Sequence, residues 1–166
     1  MATLGEGRFA GERLYYRSWQ PDVPSRGQVV ISHGFAEHGG RYQHVAKALT
    51  AADLSVWAAD HRGHGRSQGA RADIESVWTA ADDLGLFIDL VRTQAPEGQL
   101  FLVGHSMGGL IATAFAERHQ DRLGCRSARC TCWSEPADRL SPPCRPPYHH
   151  RRRPDRDVEV PVGRGP

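Results

Sequence analysis

The 166-residue chain has no apolar run approaching the 18 or more residues of a membrane-spanning helix, and its start, MATLGEGRFAGERLYY, lacks the apolar core of a secretory signal. These absences point to a soluble, cytoplasmic protein. Cysteine is missing before Cys125, and the four present (Cys125, Cys130, Cys132, Cys144) crowd into the last 43 residues. In a reducing compartment they stay thiols, so a disulfide framework is not expected. Proline is scarce as well, with three before residue 124 and eight after it. Charge divides at the same place: residues 1–123 hold 12 Lys+Arg against 14 Asp+Glu, and residues 124–166 hold 9 against 5. The overall +2 is the sum of two compositions joined near Leu123, and it gives no reason to expect a nucleic-acid partner.

Residues 1–123 alternate strand and helix patterns. Leu14, Tyr16 and Ser18 against Tyr15, Arg17 and Trp19 read as a two-faced strand, and Pro21 to Gly27 reads as a turn, so a first hairpin is expected there. Gln28 to Ser32 and Leu54 to Ala59 are short apolar runs, each stopped by polar residues, as buried parallel strands are. Between them Tyr42, Val45, Ala46, Leu49 and Ala52 recur at helical spacing, which predicts an amphipathic helix over 41–52. From Ile74, the series Val77, Trp78, Ala81, Leu84, Ile88 and Val91 marks a second helix with Asp82, Asp83 and Asp89 off its apolar face and Asp73 placed to cap it. Leu100 to Val103 is a third buried strand, and Met107 to His119 a third helix. The order implies an α/β sheet with helices on both faces.

Gly104-His105-Ser106-Met107-Gly108 fits G-x-S-x-G. The pattern alone is weak, but it is informative when a buried strand precedes it and a helix follows, as LFLV and LIATAFAERH do here. A serine on a sharp strand-to-helix turn projects its hydroxyl above the sheet. The flanking glycines, Gly104 and Gly108, are needed because that turn packs backbone on backbone, and the Met107 amide at the helix start can donate to a developing oxyanion. The incidental alternative is a glycine-rich connection that happens to hold a serine.

Three motifs in order, HGFAEHGGRY from His33, DHRGHGRS from Asp60 and GHSMGG from Gly104, resemble the monoacylglycerol lipase and lysophospholipase group of α/β-hydrolases, the serine aminopeptidase S33 type, over residues 8–123. The resemblance implies an α/β-hydrolase fold of which only the N-terminal half of the sheet, with its flanking helices, is present. It implies Ser106 as nucleophile, the amides of Phe35 and Met107 as oxyanion hole, and His33, Gly34, Gly104, His105 and Gly108 as residues that shape the site. The implied reaction is hydrolysis of a fatty-acyl monoester through an acyl-enzyme, without cofactor or metal. The implied partner is a lipid monoester, and peripheral membrane contact is compatible with such a substrate. The histidine pairs His33/His38 and His61/His64 lack the further ligands that would close a metal site. His105 adjoins the nucleophile on a sharp turn, so its side chain is expected to point away from Ser106.

The segment 124–166 breaks the pattern. Leu, Ile, Met, Phe and Val total four there, too few to offset the entropy of ordering, so a disordered tail is expected. The strands that should carry the acid and the histidine are not legible. Asp138, His149 and His150 follow Ser106 in the right order but without strand signals around them. The gain in Arg, Pro, Cys and His at one point resembles out-of-frame reading of a G+C-rich gene, a reading that sequencing of the locus decides. The cysteine spacings, C-x4-C and C-x-C, do not suit zinc. The basic run Tyr148 to Arg153 reads as a solvated charge cluster before it reads as a phosphate contact. Three functional classes follow: a truncated acylglycerol-lipase-like hydrolase whose competence is in doubt, another esterase or aminopeptidase of the same fold, and a non-catalytic interaction protein using the basic tail.

Overall fold

The computed structural model describes residues 2–119. The cysteines, Asp138, His149, His150 and the basic run of the second composition lie outside the described residues. Five strands form one mixed sheet: β1 (Thr3–Phe9), β2 (Leu14–Gln20), β3 (Gly27–Ser32), β4 (Ser55–Ala59) and β5 (Gln99–Gly104), in the order β1-β2-β4-β3-β5. β1, β2 and β4 pair antiparallel in succession, whereas β3 runs parallel to both β4 and β5. The parallel strands are those read from the apolar runs.

The hairpin is real but lies on the other side of β2. The strand before it, β1, carries two glycines and two charged residues in seven positions, which hides any strand signal. The chain turns at Ala10 to Arg13, with Ala10, Gly11 and Glu12 at positive φ. The segment 21–26 leads instead to β3, which does not pair with β2.

Alternation along the strands sends side chains to two cores. Val29, Ile31, Val56, Ala58 and Trp19 pack against α1 (Gln43–Thr50) through Ala46, with Val45 and Leu49 beside it. Val30, Trp57, Tyr16 and Phe9 point the other way, onto Ala80, Leu84, Phe87, Ile88 and Val91 of α2 (Val77–Gln94) and onto Ile111, Ala114 and Phe115 of α3 (Met107–Arg118). Phe87 is fully buried between the rings of Phe9 and Tyr16, 5.1 and 5.6 Å away by centroid. Burial of one such ring stabilises the fold by about 2 to 3 kcal/mol.

Three sequence expectations need correction. The second helix starts at Val77 and is capped by Ser76, whose hydroxyl accepts the Thr79 N–H at 3.0 Å; Asp73 instead accepts the Glu75 N–H. The reading of Asp83 as a residue off the apolar face misses its burial: it takes two hydrogen bonds, of 2.7 and 3.0 Å, from the Arg62 guanidinium, an arrangement that the helical period alone does not distinguish from a polar face. β5 is not a buried strand. Phe101 and Val103 are 41% and 38% exposed, because α1 covers β3 and β4 but not β5, which has a strand neighbour on one edge only among the described residues. No helix among the described residues is long and apolar enough to cross a membrane.

Candidate active site

β3 and β5 are neighbouring parallel strands, and the helices that follow them lie on opposite faces of the sheet. Chain order reverses between them, the arrangement that in open α/β sheets places a binding crevice beyond the C-terminal strand ends. Their last register pair is Ser32 with Gly104, and beyond it, where the two segments leave the sheet, Gly34 packs against the His105 ring. The His105 N–H donates to the Ser32 carbonyl at 3.0 Å and ties the two exits together.

Ser106 sits on the turn between β5 and α3 at φ 51°, ψ −118°, backbone that a non-glycine residue seldom adopts. It is exposed, caps α3 without a side-chain hydrogen bond, and its hydroxyl has no partner among the described residues. Met107 opens α3, where the first N–H groups have no intrahelical acceptor. The turn is tight enough to dictate composition: a Cβ on Gly108 would fall onto the Ser32 carbonyl and 2.5 Å from the His33 oxygen, and one on Gly104 would lie 2.5 Å from the Gly108 oxygen.

The loop after β3 is held from beneath by histidines. His33 is fully buried; its Nδ1–H donates to the Gly34 carbonyl at 2.8 Å, and its Nε2 accepts the His61 N–H at 2.9 Å. Both nitrogens are therefore occupied in the neutral ring, and burial pushes its pKa down to about 4. The His61 ring lies tilted against His33, 4.3 Å away by ring centroid, and bonds Ser32 Oγ through Nε2 at 3.0 Å; burial, then the neighbouring His33, hold it well below the usual histidine range. The Asp60 to Ser67 segment closes as a hydrogen-bonded turn, with Asp60 accepting from Gly39 and Arg66 N–H groups at 2.7 and 2.8 Å. The histidines thus act as structural braces in this site.

Above that floor, Phe35 is 59% exposed and Ala36 lies at φ 57°. Glu37 turns back toward the elbow, where its Oε2 gathers the Tyr42 hydroxyl at 2.6 Å, His105 Nδ1 at 3.2 Å and the Gly34 N–H at 3.2 Å. His105, directly before the nucleophile, is engaged by Glu37 and Tyr42 and makes no hydrogen bond to Ser106. In the sequence Tyr42 reads as part of the apolar stripe of the first helix and as the end of the HGFAEHGGRY motif, with no role of its own in the site. The structure puts it in a 3-10 turn, Gly39–Tyr42, with its ring against the core and its hydroxyl in the site. The overlooked signal was the phenolic hydroxyl itself, which needs a partner when the ring is buried.

A family model described as serine aminopeptidase, S33, matches residues 23–136. The chain belongs to this family. A monoacylglycerol lipase of Mycolicibacterium smegmatis is 42% identical over 121 residues, which cover 71% of this chain and 43% of that protein. The human monoglyceride lipase is 39% identical over 102 residues, 61% of this chain and 34% of that one. Two solved α/β hydrolases show the same fold. The monoacylglycerol lipase of Paleococcus ferrophilus superposes with a TM-score of 0.57 at 37% identity, covering 66% of this chain and 40% of its own. A thermostable carboxyl esterase from Bacillus coagulans, solved with glycerol, gives 0.63 at 32%, covering 74% and 43%. This S33 hydrolase chain spans less than half the length of the curated relatives it matches.

Proposed function

We propose that the chain carries the nucleophile and oxyanion-hole portion of a serine ester hydrolase acting on a fatty-acyl monoester. The observation that carries this reading is Ser106, exposed and held at φ 51° at the head of a helix. In this reading its Oγ attacks the ester carbonyl and the alcohol leaves. The N–H groups of Met107 and Phe35 take the charge that develops on the carbonyl oxygen, and water then releases the fatty acid from the acyl-enzyme. The lipid character of the substrate is supported by the names of the relatives and by the exposed apolar side chains of Phe35, on the loop after β3, and Leu110, in the first turns of α3. Such a substrate also suits peripheral membrane contact.

Full catalysis needs a base. Among the described residues no imidazole is hydrogen-bonded to the Ser106 hydroxyl; a serine without such a base keeps its proton at neutral pH, and the reading assigns impaired turnover on that ground. The test is reaction with a fluorophosphonate probe beside hydrolysis of a monoacylglycerol. Slow labelling that Ser106→Ala abolishes is the expected result, and labelling that survives Ser106→Ala would overturn the assignment. Cleavage of a peptide amide in preference to the ester would move the reading to the aminopeptidase class.

A further inference from the structure

Glu37, Tyr42 and His105 form a network that the reaction as described does not use. Its geometry fixes the protons. Glu37 Oε2 takes the Tyr42 O–H at 2.6 Å, so the Tyr42 oxygen is left only with lone pairs toward its other neighbours. His105 Nδ1 lies 2.9 Å from that oxygen and 3.2 Å from Glu37 Oε2, and both are acceptors in its direction. Nδ1 must therefore carry hydrogen. The Gly34 N–H likewise serves both, at 3.2 Å to Glu37 and 3.4 Å to Tyr42. Three donors, two from the connection between β3 and α1 and one from the turn that carries Ser106, thus converge on one carboxylate oxygen. Burial alone would raise the Glu37 carboxyl, but the hydrogen bonds from Tyr42, His105 and Gly34 outweigh it and hold it below the usual range.

The segments joined are the informative part. Gly34 immediately precedes Phe35, and His105 immediately precedes Ser106. A Cβ on Gly34 would lie 2.8 Å from His105 Nδ1 and 3.1 Å from Glu37 Oε2, so the loop and the elbow touch with nothing between them. Ala36, held at positive φ, turns the loop back so that Glu37 can reach the elbow.

We infer that Glu37 and Tyr42 are positioning residues: ionised Glu37, through the Nδ1–H of His105, latches the loop bearing Phe35 to the turn bearing Ser106 and so sets the spacing between nucleophile and oxyanion hole. This rests on the proposed role of Ser106, but the latch can be measured without it. Nitrogen-15 NMR of the imidazole in the 166-residue chain is expected to find His105 as the Nδ1–H tautomer. In Glu37→Gln the amide can present N–H to the ring, and His105 is expected to change to the Nε2–H tautomer, which loss of a merely structural contact would not do. Tyr42→Phe keeps the Glu37 contact and is expected to keep Nδ1–H. Fluorophosphonate labelling of Ser106 should slow about ten-fold in both variants, the scale expected when reacting groups are displaced by a fraction of an ångström. An Nε2–H His105 in the wild-type chain overturns the latch, as does Ser106-dependent labelling unchanged in both variants. Labelling independent of Ser106 overturns the acyl-enzyme reading alone, and the tautomer still decides the latch.

Discussion

Gly108, in the first turn of α3, lies with its Cα against the carbonyl of Ser32 at the end of β3, leaving no volume for a methyl group. The contact joins the nucleophile helix to the strand that feeds the oxyanion loop. Both sides are backbone, so neither can rotate away. Gly108→Ala should therefore cost about 3 kcal/mol, at the upper end of overpacking effects, by forcing α3 from the sheet. Urea unfolding of the two chains checks this; equal midpoints would show that the elbow yields more readily than its geometry indicates.

This contact also explains why the strand-to-helix turn at Ser106 is easier to read in sequence than the fold around it. The glycines of G-x-S-x-G answer to backbone packing, which recurs wherever a serine is raised on such a turn, so Gly104, Ser106 and Gly108 are visible in sequence. The parallel strands β3 and β4 are visible because both of their faces are buried. β1 escapes notice because pairing with β2, not its own residues, makes it a strand, and Asp83 escapes because its partner Arg62 lies 21 residues away. Tyr42 shows the limit of periodicity, since one side chain serves the core with its ring and the site with its hydroxyl.

Stability should fall in mild acid. His33 titrates near 4 in the folded chain and near 6.5 when unfolded, and His61 is displaced in the same direction. Between those values the unfolded chain binds a proton that the native chain refuses, so the native state loses up to about 1.4 kcal/mol per pH unit for His33 alone. The window opens below about pH 6.5 and closes near 4. Denaturant midpoints at pH 7.5, 6 and 5 should decline in that order, and the decline should be shallower in His33→Gln, which retains an acceptor for the His61 N–H. A flat profile from 7.5 to 5 would mean that the histidine floor is not buried as described.

Among the described residues β5 has a strand neighbour on one edge only, and this predicts self-association. Gln99 to Gly104 is an uncharged strand with Phe101 and Val103 exposed on one face, and edge strands without charge pair with other chains. At tens of micromolar the protein should elute from sizing columns as mixed oligomers. Val103→Lys, which puts a charge on that face without touching the cores on the other, should raise the monomer fraction severalfold. A monodisperse wild-type monomer with a cooperative thermal transition would refute this.

Ser106 stores strain in its backbone, and removing it should be visible as stability. A non-glycine residue held at φ 51°, ψ −118° costs on the order of 1–3 kcal/mol, whereas glycine adopts that region freely but gives back 0.5–1 kcal/mol, roughly, through the flexibility it adds to the unfolded chain. Ser106→Gly should therefore be more stable than the wild-type chain by about 1 kcal/mol, while Ser106→Ala, which keeps a Cβ and so keeps the strain, should differ from it by little. The pair separates backbone strain from loss of the hydroxyl, because both variants lack the hydroxyl and only one relieves the strain. Thermal unfolding of the three chains measures it. Equal midpoints for the glycine and alanine variants would mean that the turn holds Ser106 without strain, and the exposure of its hydroxyl would then need another cause.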